Sequence, residues 1–61
     1  MLDMNKKYKI LIVDDSRFNR LVMTSMLAKD YLLEEACDGK EAVLILQERA
    51  EEFSLVLLDI V

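Results

Sequence analysis

The chain alternates between two hydrophobic periods. Tyr8-Lys9-Ile10-Leu11-Ile12-Val13 is a short run rich in β-branched residues, stopped by Asp14-Asp15. Apolar side chains on both faces predict a strand buried inside a parallel sheet. From Ser16 to Asp30, apolar residues recur at Phe18, Leu21, Val22, Met26 and Leu27. That i, i+3, i+4 spacing predicts an amphipathic helix, with Asp15 or Ser16 capping its first turn. Tyr31-Leu32-Leu33-Glu34-Glu35-Ala36 reads as a weaker strand. Its two glutamates suit an edge, where charge blocks unwanted pairing. Asp38-Gly39-Lys40-Glu41 opens a second helix, with Asp38 as cap and Glu41 placed as in a capping box. Ala42, Val43, Leu46 and Ala50 form its expected inward stripe, widened by Leu44 and Ile45. Ser54 to Val61 is the most apolar stretch, broken only by Asp59, and reads as a third strand.

Strand, helix, strand, helix, strand is the order of βαβ units. It predicts an α/β fold with a parallel sheet. There are no internal repeats, linkers or low-complexity segments. The chain breaks off inside an apolar strand, where a natural terminus is usually a surface segment.

Composition narrows the classes. Sixty-one residues are at most one small domain, burying only about 60% of the unfolded surface. Such chains usually need a disulfide, a metal or a partner. One cysteine and no histidine exclude an internal disulfide and Cys/His zinc sites. Apolar residues make up 54% and charged residues 33%, a globular balance rather than a disordered one. Eight basic residues against twelve acidic ones, net −4, argue against a nucleic-acid module and against an anionic membrane surface. No apolar run approaches the roughly 18 residues of a spanning helix. Ile10–Val13 is too short for a signal peptide. The expectation is a soluble, cytoplasmic protein.

Two features carry candidate chemistry. Asp14-Asp15 end the first strand, and Asp59 lies near the end of the third. Open α/β sheets bind ligands outside the carboxyl ends of their strands. If strands one and three are neighbours, three carboxylates converge, and their mutual repulsion calls for a hard divalent cation such as Mg²⁺. Each feature also has a plainer reading. An Asp pair after a strand often only caps a helix, and Asp59 alone could begin a loop. Asp38 and Gly39 read as a turn and helix start, since one glycine makes no phosphate cradle. Met23 and Met26 read as core or interface. Cys37 reads as a small loop residue, Arg17 and Arg20 as solvated helix residues, and Lys6, Lys7 and Lys9 as a soluble flank.

Three segments together are more specific. Lys9-Ile10-Leu11-Ile12-Val13-Asp14-Asp15-Ser16, Ala36-Cys37-Asp38-Gly39-Lys40-Glu41-Ala42 and Leu55-Val56-Leu57-Leu58-Asp59-Ile60 resemble the receiver domain of two-component response regulators. The resemblance runs from Lys9 to Val61. It implies a phospho-acceptor domain rather than an enzyme, with Asp59 as the nucleophile that takes a phosphoryl group from phosphohistidine or an acyl phosphate. It implies Mg²⁺ held by Asp14, Asp15, Asp59 and the main-chain carbonyl of Val61. A histidine kinase or histidine phosphotransfer protein would be the partner, meeting the surface near the first helix.

The same resemblance implies the β-α-β-α-β half of a flavodoxin-like doubly wound sheet, strand order 2-1-3. Residues 1–61 then correspond to the first three strands and two helices, with strands 4 and 5 and helices 3 to 5 absent. Such a half-domain exposes its apolar third strand as an edge. A twofold homodimer pairing two third strands, without phosphotransfer, is therefore the rival expectation. A Mg²⁺-binding βαβ module of another hydrolase-like family is a third.

Overall fold

The computed structural model describes residues 8–59. The first strand, β1 (Lys9–Asp14), is the centre of the molecule. Its apolar run is flanked on both sides, by β2 (Leu32–Ala36) and β3 (Leu55–Asp59), in a parallel sheet of order β2-β1-β3. This is the predicted α/β architecture with its 2-1-3 order. Leu11, Ile12 and Val13 are completely buried, each contributing roughly 1.5–3 kcal/mol of transfer free energy. Both glutamates lie on an edge strand, as expected, since among the described residues β2 pairs only with β1.

Helix α1 (Arg17–Leu27) joins β1 to β2, and α2 (Gly39–Arg49) joins β2 to β3 through a 3₁₀ turn at Ala50–Glu52. Ser16, not Asp15, caps α1: its backbone is extended and its Oγ accepts the Asn19 N–H at 3.2 Å. The helix stops at Leu27 rather than Asp30. There the Asp30 and Tyr31 amides both turn back to the Leu27 carbonyl, at 3.1 and 3.0 Å. Bonds of this short-range kind close a helix end without a glycine. Asp38 caps α2, its Oδ1 accepting the Glu41 N–H at 2.8 Å. Glu41 reaches back to the Cys37 N–H at 2.7 Å, one residue beyond the usual capping-box partner.

Glu34 bonds Arg49 of α2, and the next residue, Glu35, bonds Arg20 of α1. Neighbouring strand residues point to opposite faces, so the two helices cover opposite sides of the sheet. On the α2 side, Leu11, Val13, Ala36 and Ala42 form the core, with Ile45, Leu46, Phe53 and Val56 packed on it.

The inward stripes differ from those expected. On α2 the sheet-facing positions are Ala42, Ile45, Leu46 and Arg49, while Val43, Leu44 and Ala50 are exposed. On α1 the half-buried positions are Arg20, Met23, Thr24 and Leu27. Phe18, Leu21, Val22 and Met26 face outward, Phe18 and Met26 being 71% exposed. Met26 is thus no core residue. The helix is rotated so that Arg20 meets the sheet, and its apolar stripe is carried outward. No helix among the described residues is long and apolar enough to cross a membrane.

Candidate functional site

The register of the sheet brings the expected acidic residues to one place. Asp14 and Asp59 are direct partners across the β1–β3 ladder; Asp14 ends β1, and Asp59 is the last described residue of β3. The backbone thus sets them side by side at the carboxyl edge. Asp15 follows in an exposed bend, just ahead of α1. The side chain of Asp59 and the carbonyl of Val61 lie outside the described residues. Among the described residues, no group of three acidic, thiol or imidazole side chains has metal-binding geometry.

Asp14 is the unusual residue. It is only 1% exposed and is the one charged residue among the described core positions. Its Oδ1 accepts the Ser16 N–H at 2.8 Å, which fixes the carboxylate against the turn into α1. Its Oδ2 is buried and has no hydrogen-bond partner among the described residues. Burying a carboxylate oxygen without a partner costs several kcal/mol. Such an atom is a strong acceptor waiting for a donor or a cation.

Arg20 was expected as a solvated helix residue, and the structure corrects this. Its Nη1 donates to the Asp14 main-chain carbonyl at 2.6 Å, and its Nε to Glu35 Oε1 at 3.0 Å. Its side chain is mostly buried. Hydrophobic periodicity gives no sign of this contact. A weaker signal was present: an arginine in the first turn of a helix that starts directly after a strand lies within reach of that strand's last carbonyl.

A second group of charged residues is structural. Lys9, expected as a soluble flank, bonds Glu34 at 3.1 Å and Glu52 at 3.0 Å. Arg49 pairs with the same two glutamates. Both cations stand over the Phe53 ring, at 5.2 and 5.9 Å from its centroid. The Arg49 hydrogen bond, aided by Lys9, holds the Glu34 carboxyl below its ordinary pKa despite partial loss of water. Cys37 is exposed, and its thiol is pushed up, first by loss of water and then by Glu41 and Asp38. It lacks the electropositive setting of a reactive cysteine. An open hollow along α2, lined by Leu44, Ile45, Gln47, Glu48 and Arg49, shares no residue with the acidic edge.

Comparison with protein-family models, with curated proteins and with solved structures gives no match. The functional reading therefore stands on the residues and their arrangement.

Proposed function

We propose that this chain is a phospho-acceptor module of the receiver type, with a flavodoxin-like sheet of which β2-β1-β3 forms the first half. One observation carries the reading. Asp14 and Asp59 are in register on adjacent parallel strands, and Asp14, at the carboxyl end of β1, keeps one buried carboxylate oxygen without a partner among the described residues. That is where an open α/β sheet binds its ligand.

Asp59 is the nucleophile of this reading. Its carboxylate oxygen forms a bond to phosphorus while the bond from phosphorus to the donor breaks. With phosphohistidine, protonated on its other ring nitrogen, the phosphorus-bound nitrogen leaves with the electron pair as neutral imidazole. With an acyl phosphate a carboxylate leaves. The oxygen-only donor set and the open Asp14 Oδ2 fit Mg²⁺. Asp14, Asp15, Asp59 and the Val61 carbonyl would hold it. When bound, the ion supplies neutralisation of the phosphoryl oxygens. The donor in the cell would be a cytoplasmic histidine kinase or histidine phosphotransfer protein.

The test is direct. With Mg²⁺ and an acyl phosphate, the intact mass of the wild-type chain should rise by one phosphoryl group, and that of Asp59→Asn should not. Mg²⁺ binding without any Asp59-dependent uptake would overturn the reading.

A second reading is a self-assembling module without phosphotransfer. It rests on β3, an outer strand of the described sheet, whose residues Leu55-Val56-Leu57-Leu58 carry no charge.

A further inference from the structure

Arg20 stands beside the acidic edge but spends its bonds elsewhere. It donates to the carbonyl of Asp14 and to the carboxylate of Glu35. It makes no hydrogen bond to Asp14 Oδ2, although that oxygen belongs to the residue whose carbonyl it holds. A guanidinium bonded to the main chain of a residue with a buried carboxylate would ordinarily pair with that carboxylate, bidentately where geometry allows. Here two acceptors on two different strands hold the planar fork away. Asp14 ends β1, and Glu35 lies on β2 beside Ile12 of β1.

We infer that Arg20 is a positioning residue for the cation site and that Glu35 keeps its charge off the site's carboxylates. The inference rests on the metal-binding part of the reading above. Arg20 fixes the peptide that follows Asp14. That peptide sets the direction in which Asp15 leaves the strand, while Ser16 N–H sets the Asp14 carboxylate itself. The Arg20 clamp thus aims one acid, and the Ser16 amide aims the other. Glu35 has the second task. With its charge removed, the guanidinium is free to turn onto Asp14 Oδ2 and occupy the position a cation needs. The two residues act as one unit, so removing either should cost the same.

Lysine at position 20 separates positioning from charge. It keeps the positive charge but cannot span the Asp14 carbonyl and Glu35 together. Outer groups that orient metal ligands typically cost 10- to 100-fold in affinity when lost. Mn²⁺ is the probe, titrated into the full chain and followed by the free-ion resonance signal, at a temperature where circular dichroism shows each variant folded. Arg20→Lys and Glu35→Gln should each weaken Mn²⁺ binding about tenfold, and the double variant should be no weaker than either single one. Paramagnetic broadening of the Asp15 and Ser16 amides should decline with it, while circular dichroism shows the fold unchanged. Glu35 is half exposed, so Glu35→Gln keeps the test open should Arg20→Lys fold poorly. Tight binding by the wild type, lost in Asp15→Asn but unchanged in Arg20→Lys and Glu35→Gln, would overturn the inference and spare the site. Equal, weak binding by the wild type and Asp15→Asn would remove the site itself, and the inference with it.

Discussion

Asp14 sets function against stability at a single atom. Its neighbours in the strand, Leu11, Ile12 and Val13, are fully buried hydrocarbons. Its own Oδ2 is buried with no partner among the described residues. An Asp14→Asn variant keeps the oxygen that accepts the Ser16 N–H and removes the buried charge. Without divalent cations it should be more stable than the wild type by about 1 kcal/mol, because a neutral amide costs less to bury unpaired than a carboxylate. For a domain of this size that is a rise in melting temperature of roughly 4–8 °C. With Mg²⁺ the order should reverse. A ligand at a hundred times its dissociation constant stabilises the native state by about 2.7 kcal/mol, and Asp14→Asn would forgo that gain. Melting curves with chelator and with excess Mg²⁺ make the comparison. A wild type insensitive to Mg²⁺, or an asparagine variant less stable in chelator, would contradict it. Asp14 was legible as a candidate because a carboxylate ending an apolar strand is conspicuous in sequence. Its open oxygen was not legible, since that depends on which donors the turn into α1 presents.

The elements were mostly legible, and their rotations were not. The switch between run-like and helical periodicity located all three strands and both helices, and the Asp15-Ser16 pair and Asp38 marked the helix starts. The stripe of Phe18, Leu21, Val22 and Met26 nonetheless faces outward, because the Arg20 bonds to Asp14 and Glu35 set the azimuth of α1. Charge partners also escaped the reading, since they join residues distant in sequence. Lys9, Glu34, Arg49 and Glu52 link β1, β2, α2 and the 3₁₀ turn around Phe53. The network has a definite pH window. Glu34 has a lowered pKa, so its contribution is complete above its ordinary value of 4.5 and is lost as pH falls through the lower folded value. Lys9 has a raised pKa, so its contribution is complete below 10.5 and is lost as pH rises through the higher folded value. A Glu34→Gln variant should therefore melt below the wild type at pH 7. The gap should close as pH falls below about 4.5 and both chains become neutral at this position. A gap that stays constant across that range would mean that packing, not charge, makes the difference.

At the scale of the whole molecule, two apolar surfaces compete to be the site of association. One is the outward stripe of α1. The other is the edge of β3, where Leu55 and Leu58 are 50% and 64% exposed. Glu34 and Glu35 put charge on the opposite edge, but residues 55–58 have none to hinder a further strand. Uncharged outer strands pair readily, and lysine is a common natural block. Antiparallel pairing of two copies about Leu57 would set Val56 of each against Leu58 of the other, so the central cross-strand pairs would be apolar, with Leu55 opposite Asp59 at either end. The net charge of −4 opposes association only weakly at physiological salt. The expected state in concentrated solution is therefore a dimer by light scattering, dissociating on dilution. Leu58→Lys should give the monomer mass at the same concentration. Phe18→Ser should leave the dimer intact if the β3 edge is the interface. The reverse pattern, a monomer from Phe18→Ser and a dimer from Leu58→Lys, would move the interface to α1. A wild-type monomer at all concentrations would refute self-assembly and leave the phospho-acceptor reading without its rival.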